Sequence, residues 1–290
     1  MALEKQSHCK VNLLLNILGK RADGFHELET VMQPIAVHDR IQIARSAGGI
    51  ELTCSEPTLP TDGRNLVYRA AELFLRSLAV NDGVELHLEK RIPLAAGLGG
   101  GSANAAITLL GMNELFGNPA DPESLGALAA QLGSDVPFFL QPQAALATGR
   151  GEKIEPLGDF CALKDCAALL IHPGFGISTA WAYQSLARFP QALNGTPGRA
   201  ASLVRLLRGT DLLAAGREFY NSLEAPALEK YPLLVLFQEF LREQGATATL
   251  MSGSGSTTFG IFRSLSAAEG AAEKVRSRFG ASGWIAAVAL

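Results

Sequence analysis

Four glycines stand within the five residues 97–101, between a predicted strand and a predicted helix. Apolar and polar side chains alternate at 84–90, which predicts the strand, and the alanine- and leucine-rich run 103–110 predicts the helix, with Ser102 as its cap. Glycine permits positive φ angles and lets a ligand approach the main chain. Several N–H groups can then face one concavity beside the positive end of the helix. The segment predicts a phosphate-binding loop, with a flexible hinge as the plainer alternative.

Two better-known phosphate loops do not match this segment. A Walker loop ends in Gly-Lys-Ser/Thr, and no lysine precedes Ser102. A dinucleotide fingerprint requires a sixth-position glycine where Ser102 stands, although serine is nearly as small. A second glycine run, Met-Ser-Gly-Ser-Gly-Ser at 251–256, follows another predicted strand. By itself it fits a plain turn equally well, but together the two runs suggest two walls of one anion site.

Composition excludes several other classes of protein. The chain has 290 residues, 48% of them hydrophobic and 18% charged, which is typical of one large globular domain or two lobes. The formal net charge is -3 and no basic run occurs, so nucleic acid is not an expected partner. No stretch has the length and apolarity of a membrane span, and the N-terminus lacks a signal-peptide core. The cysteines form no Cys-x-x-Cys pair, which argues against a zinc or redox site and fits a reducing cytoplasm. They are Cys9, Cys54, Cys161 and Cys166.

Hydrophobic periodicity predicts a strand-rich first half and a mostly helical second half. The predicted strands lie near 10–18, 27–37, 40–45, 84–90, 246–251, 257–262 and 283–288, and further strands with a turn at 149–152 are predicted within 138–156. The predicted helices lie near 65–78, 103–110, 122–132, 178–187, 200–208, 211–228, 232–244 and 266–279.

Several segments resemble one family of small-molecule kinases. The run 92–106 resembles the central phosphate loop of the GHMP kinases, and 252–256 resembles their C-terminal glycine motif. Lys-Val-Asn-Leu at 10–13 and Arg-Ala-Asp-Gly-Phe-His-Glu-Leu at 21–28 resemble one branch of that family. Members of that branch phosphorylate a cytidine diphosphate-linked methylerythritol in the non-mevalonate isoprenoid pathway. The segments 133–139 and 172–174 belong to the same pattern.

The resemblance implies an α+β fold of two lobes. Residues 1–158 would form an N-terminal lobe that resembles ribosomal protein S5 domain 2 and carries the ATP phosphate loop. Residues 159–290 would form a ferredoxin-like C-terminal lobe. The sequence departs from the family pattern in three places: Phe25 replaces a tyrosine, Cys9 replaces a small residue, and serines replace threonines in 252–256.

The resemblance also implies roles for individual residues. Asp135 would accept or orient the proton of the substrate hydroxyl, and whether it is a full general base stays open. Lys10 would keep that aspartate ionised and stabilise charge on the transferring phosphoryl group, and Asn12 would bind substrate. Asn65 and Leu66, together with Ile92, would lie near the adenine and ribose of ATP. The expected phosphate-loop contacts are Pro93, Leu94, Ala95, Ala96, Gly97, Leu98, Gly99, Gly100, Gly101, Ser102 and Ala103.

Three rings are candidates for binding a cytosine. Phe25 and Tyr183 would cover its faces, and His26 would bind its polar edge. The alternative is that both aromatic rings belong to the core and that His26 merely ends a turn. Mg²⁺ is expected to accompany ATP, with no protein ligand assigned. The expected partner is the small-molecule substrate alone, in a monomer or weak homodimer.

Two other functions remain open at this point. One is a GHMP kinase for a different alcohol, against which the segment 21–28 argues. The other is a non-catalytic nucleotide or metabolite sensor, which could lose Lys10 or Asp135 freely, whereas both are present here.

Overall fold

The computed structural model describes residues 2–280 and 283–290. The chain folds into two compact units, each built from separate stretches of sequence. The first unit holds the segment that ends at Cys9 together with Val37–Ile92 and Gly99–Pro142, and the second holds Lys10–Ala36, Pro93–Leu98 and Gln143–Leu290. The predicted lobes divide the chain at a single point, residue 158, whereas each compact unit combines several segments. The division into those lobes stays a prediction.

The described residues mix strands and helices throughout, so the α+β class is confirmed. The strands are β1 Ala2–Lys20, β2 His26–Ser46, β3 Ile50–Cys54, β4 Gly83–Glu89, β5 Ala145–Gly149, β6 Lys153–Pro156, β7 Ala167–His172, β8 Tyr220–Asn221, β9 Ala248–Met251, β10 Thr258–Phe262 and β11 Trp284–Ala289. The helices are α1 Leu66–Ser77, α2 Gly100–Leu115, α3 Pro122–Leu132, α4 Thr179–Ser185, α5 Pro190–Leu193, α6 Arg199–Arg208, α7 Leu212–Arg217, α8 Glu224–Lys230, α9 Pro232–Glu243 and α10 Leu265–Phe279. Among helices in residues 2–280 and 283–290, none is both long enough and apolar enough to cross a bilayer.

In the first unit, β4 lies between β2 and β3. It pairs antiparallel with β2, from Arg40 opposite Glu89 to Ser46 opposite Gly83, and parallel with β3. Helices α1, α2 and α3 pack on one another. The buried face of α1 repeats at the helical spacing that predicts it, and an amphipathic helix packs by such a face. Its buried residues are Val67, Ala70, Ala71, Leu73 and Phe74.

In the second unit, an antiparallel sheet has the strand order β11-β7-β10-β9. All six residues of β7 are buried, and helices α9 and α10 pack against strands of this sheet. Elsewhere in the unit, β5 pairs with β2 and with β6. β8 runs parallel to β1, with Leu14 opposite Tyr220 and Leu15 opposite Asn221.

Four secondary-structure predictions are wrong in part. The strands predicted at 27–37 and 40–45 form one continuous β2. The strands predicted within 138–156 begin only at Ala145, because Pro137–Leu140 form a 3-10 turn, whereas the turn predicted at 149–152 is confirmed between β5 and β6. The helix predicted over 211–228 is interrupted by β8, whose backbone pairs with β1. Strands β3 and β7 lie outside the predicted elements; in β7 both faces are buried, so no polar alternation marks it.

Candidate active site

Helix α2 begins inside the glycine run 97–101, at residues that belong to the first unit. Gly99 is its N-cap with φ 71°, a left-handed conformation that favours glycine, and Gly100 is the first helical residue. The prediction that Ser102 caps the helix is wrong, because the left-handed Gly99 starts the helix before Ser102 and Ser102 lies in its first turn. Gly99 has no side chain to cap the N–H groups of this turn, and the positive end of the helix dipole lies beside them. The helix start therefore offers donors to an anionic ligand.

The first turn of α2 is flanked by three side chains of the same unit. A Cβ atom on Gly100 would lie 3.2 Å from Cγ2 of Ile92 and 3.4 Å from Nζ of Lys90. A Cβ atom on Gly101 would lie 3.6 Å from Cδ1 of Leu66. Leu66 and Ile92, which the family resemblance predicts near the adenine and ribose, thus border the glycine run. Lys90 is a neighbour that sequence analysis missed.

Asp39 fixes the segment that leads into the glycine run. Its carboxylate is fully buried, pairs with the Lys90 ammonium and accepts the N–H groups of Arg91 at 2.7 Å and Ile92 at 2.9 Å. A buried charge is stable only when it is paired and hydrogen-bonded, and here both conditions hold.

Asn65 is the N-cap of α1. Its side-chain oxygen accepts the N–H of Val67 at 2.9 Å, and its amide donates to the carbonyl of Pro60 at 2.8 Å. Both ends of the amide therefore bind backbone. Its contact with a nucleotide stays a prediction, supported by the position of the adjacent Leu66.

Lys10 is almost completely buried on β1 of the second unit. Its Nζ donates to Oδ1 of Asn12 and to the carbonyl of Gly97, the latter at 3.2 Å. The Asn12 amide donates to Oγ1 of Thr30 at 2.8 Å, and Thr30 in turn donates to the carbonyl of Leu14. Lys10 and Asn12 therefore lie on one face of β1, as the strand alternation predicts. Thr30, which orients Asn12, has no sequence signal of its own.

The two glycine runs meet in the second unit. Gly97 has φ 76°, and a Cβ atom there would lie only 2.0 Å from the carbonyl oxygen of Ser252. Ser252 Oγ donates to the Gly97 carbonyl at 2.9 Å, and the N–H of Thr257 donates to the carbonyl of Ala96 at 3.1 Å. Only glycine fits at position 97, because a second backbone occupies the space of its side chain.

The remaining loop residues have varied surroundings. Leu94 is exposed, whereas Leu98 is buried and its carbonyl accepts the N–H of Lys10 at 3.0 Å. Ala95 has φ 50° and lies against Gly176. Ala103 is fully buried in α2.

Asp135 belongs to the first unit. It lies between Gly133, where α3 ends, and the 3-10 turn Pro137–Leu140, and it is half-buried. The N–H of Val136 closes a turn on the carbonyl of Gly133 at 3.2 Å. Lys10 belongs to the other unit, so the pairing of the two stays a prediction.

The ring residues predicted to bind cytosine lie in the second unit. Phe25 is 50% exposed in the turn between β1 and β2, and the guanidinium of Arg150 lies 4.7 Å above its ring. The turn is closed by a hydrogen bond from the Arg21 N–H to the Phe25 carbonyl at 2.8 Å. The rings of His26 and Tyr183 lie 5.1 Å apart at 40°. Phe25 is therefore not a core residue.

Ionisation of His26 depends on its surroundings. Burial lowers the pKa of its imidazole, and the charge of Lys20 lowers it further. The neutral ring keeps one donor and one acceptor nitrogen, which suits the polar edge of a base. Tyr183 packs with its ring partly buried against the hydrophobic core of the unit.

Comparisons with known proteins test the family resemblance. Residues 65–142 match the N-terminal domain of the GHMP kinases, and residues 202–281 match their C-terminal domain. The 4-diphosphocytidyl-2-C-methyl-D-erythritol kinase of Synechococcus sp. (strain JA-3-3Ab) is 44% identical over 94% of this chain and 89% of its own length. The protein of that name from Pelotomaculum thermopropionicum is 42% identical over 95% and 94%. The chain is a GHMP kinase of the 4-diphosphocytidyl-2-C-methyl-D-erythritol kinase branch.

Solved structures agree with this membership. A crystal structure of 4-(cytidine 5'-diphospho)-2C-methyl-D-erythritol kinase superposes with a TM-score of 0.79 at 35% identity, over 99% of this chain and 100% of that one. The homoserine kinase of Cytophaga hutchinsonii gives a TM-score of 0.78 at 20% identity, over 99% and 94%, and shows the shared fold. The GHMP kinase fold inferred from the glycine motifs is thus confirmed.

Two polar residues of this GHMP kinase escaped sequence analysis, although they hold its second glycine run. The amide of Asn221 donates to the carbonyls of Met251 and Gly253, both at 2.7 Å. The carboxyl of Glu224 accepts the N–H of Met251 at 2.8 Å, and burial raises its pKa to about 7. Their sequence signal is weak, because Asn221 and Glu224 fall inside a stretch that reads as helix.

Proposed function

We propose that this GHMP kinase transfers the γ-phosphoryl group of ATP to the 2-hydroxyl of 4-diphosphocytidyl-2-C-methyl-D-erythritol. The names of its relatives support this substrate. The observation that carries the chemistry is the buried Lys10 ammonium, held by Asn12 and by the carbonyl of Gly97 in the phosphate-loop run. A fixed, desolvated cation of this kind stabilises the charge of a transferring phosphoryl group.

The reaction makes and breaks few bonds, and none of them belongs to the protein backbone or forms a covalent intermediate with it. The substrate oxygen forms the new P–O bond, the bond to the leaving ADP breaks, and the hydroxyl proton passes to Asp135. Such transfers depend mainly on positioning and charge stabilisation. Lys10 and Asp135 would supply these, and Asn12, whose amide is oriented by Thr30, would bind the substrate alcohol.

ATP would be held in the first unit by its phosphates and its base. The uncapped N–H groups at Gly100 and Gly101 would bind phosphate oxygens, and Leu66 and Ile92 would pack near the nucleoside. Among the described residues, no three His, Cys, Asp or Glu side chains form a cluster that could cage a metal ion. Mg²⁺ would accordingly bind through the nucleotide phosphates and water, as it commonly does.

The cytosine of the substrate would lie on rings of the second unit. Phe25 offers an exposed face, and the contact between His26 and Tyr183 places a neutral imidazole beside an aromatic ring. A base bound by hydrogen bonds to its edge discriminates strongly against analogues whose donors do not match. The location in the cytoplasm and the monomer or weak homodimer remain predictions.

The test is ADP release from ATP and Mg²⁺ with a panel of alcohols. We expect turnover with the cytidine diphospho substrate and none with mevalonate, homoserine or galactose. Asp135→Asn should lower kcat by roughly 100- to 10,000-fold, the usual range for general-base assistance. Greater turnover with another alcohol of the panel would reassign the substrate. Undiminished turnover of Asp135→Asn would remove that carboxylate from the reaction.

A further inference from the structure

Both donors and the acceptor oxygen of the Asn221 side chain bind backbone groups. Its side chain is buried; Nδ2 donates to the carbonyls of Met251 and Gly253 at 2.7 Å each, and Oδ1 accepts the N–H of Leu223 at 2.9 Å. Its own backbone pairs with Leu15 on β1. The amide therefore connects a fixed strand to two alternate carbonyls of the second glycine run.

Ser252, which lies between those two carbonyls, contacts the first glycine run. Its Oγ donates to the Gly97 carbonyl at 2.9 Å, and its own carbonyl lies against the Gly97 backbone. The Gly97 carbonyl also accepts the Lys10 ammonium at 3.2 Å. Consecutive contacts thus run from Asn221 through Ser252 and Gly97 to Lys10, all within the second unit.

We infer that Asn221 is a positioning residue for phosphoryl transfer, which sets the place of the Lys10 ammonium through Ser252 and Gly97. This rests on the proposed function, in which Lys10 stabilises the transferring group. An amide is the side chain that can donate two hydrogen bonds and accept one at a single point. The glycines of the run give its backbone unusual freedom, with φ 56° at Gly253, so its path depends on such external contacts.

The variant Asn221→Ala should still fold. Glu224 continues to accept the N–H of Met251, and the backbone bond between Ser252 and Thr257 at 2.9 Å remains. The run stays attached while its carbonyls lose their fixed donors. A displacement of about 1 Å near the reacting atoms is enough to lower a rate roughly 100-fold.

Asn113 provides a matched control. It is also a buried asparagine that binds backbone on both sides of its amide, donating to the Ala120 carbonyl at 3.0 Å and accepting the Ala120 N–H at 2.9 Å. It lies in the first unit, in α2, and is not a member of the series Asn221, Ser252, Gly97 and Lys10 described above. Asn113→Ala should lower the thermal midpoint of unfolding as Asn221→Ala does. It should leave kcat within about twofold of wild type, because the contacts that hold Lys10 are unchanged.

Kinetics of the two variants test the inference. Asn221→Ala should lower kcat by roughly 10- to 100-fold, with the KM for the alcohol changed far less, since a misplaced Lys10 affects the transition state more than binding. Equal losses of kcat in both asparagine variants would overturn the inference, because the effect would then follow stability alone.

A double-mutant cycle with Lys10→Ala is decisive. If Asn221 acts through Lys10, adding Asn221→Ala to Lys10→Ala should lower kcat by less than about threefold more, because coupled residues are not additive. If the fold losses in kcat of the two single variants instead multiply in the double variant, the inference is overturned. Should Asn221→Ala unfold, Ser252→Ala removes the next contact in the series and must show the same dependence on Lys10. Every rate is compared with wild type on whichever alcohol wild type phosphorylates, so an error in the proposed substrate is seen separately.

Discussion

Replacing Glu224 with glutamine should remove a pH-dependent part of the stability of this kinase. The carboxyl of Glu224 accepts hydrogen bonds from the Met251 N–H and the Gln238 amide. Burial raises its pKa from 4.5 to about 7, although those two hydrogen bonds and the charge of Arg242 act in the opposite direction. Burial therefore dominates, and the folded chain holds a proton that the unfolded chain releases.

The sign and size follow from this difference in pKa. Between pH 4.5 and about 7 the unfolded carboxyl is ionised while the folded one stays protonated, so the free energy of unfolding falls as pH rises, then levels off above about 7. Each pKa unit corresponds to about 1.4 kcal/mol, so the whole difference is of the order of 3 kcal/mol. Glutamine has no charge to bury, and its amide oxygen can still accept the Met251 N–H.

The measurement is urea denaturation of wild type and Glu224→Gln at several pH values from 4.5 to 8. The stability of wild type minus that of the variant should fall by about 3 kcal/mol across this range. Glu89→Gln is a control without this trend: hydrogen bonding to Arg91 lowers the pKa of Glu89 below 4.5, so its carboxyl is largely ionised in both states over this range and the corresponding difference should stay nearly flat. If the difference in unfolding free energy between wild type and Glu224→Gln does not change with pH, the reasoning is refuted. The carboxyl would then have the same pKa in the folded and unfolded states.

Three further predictions concern single positions. Gly97→Ala should destabilise the fold by at least about 1–3 kcal/mol in chemical denaturation, because position 97 has a positive φ and faces the Ser252 carbonyl at 2.0 Å from a new Cβ atom; unchanged stability would contradict the close approach. Asp39→Asn should cost about 3–5 kcal/mol, as it leaves the Lys90 ammonium buried without its counter-charge, and a loss below 1 kcal/mol would contradict this. Tyr183→Ala should raise the KM for the cytidine substrate with little change in the KM for ATP, in proportion to a stacking energy of ~1–3 kcal/mol. Equal changes in both KM values would indicate a purely structural ring.

Local features of the candidate active site follow from sequence. The alternation of β1 places Lys10 and Asn12 on one face, because side chains repeat every second residue in a strand. The run of glycines between β4 and α2 predicts a phosphate loop, and the motif residues predict the GHMP kinase family, which the comparisons confirm. The strand-face and family predictions succeed because they depend on residues close together in the chain, and the phosphate-binding role of the loop stays a prediction.

The boundaries of helices and strands depend on more than the residues adjacent in the chain. Ser102 is a good cap by residue type, yet α2 begins at Gly100 because Gly99 adopts the left-handed conformation. The helix expected across residue 221 gives way to β8, since pairing with β1 satisfies that backbone better than a helix turn. Local propensity is a weak preference that tertiary contacts override.

Only the tertiary structure brings Gly97 against Ser252, which stands 155 positions later in the chain. The same packing buries Glu224 and raises its pKa, which no sequence pattern predicts. Such contacts join segments that are distant in sequence, and their strength depends on burial, which is a property of the folded chain as a whole. Sequence therefore determined the chemistry available to this kinase, whereas packing decided which backbone atoms hold Lys10, because a buried hydrogen bond exists only once both partners have left water.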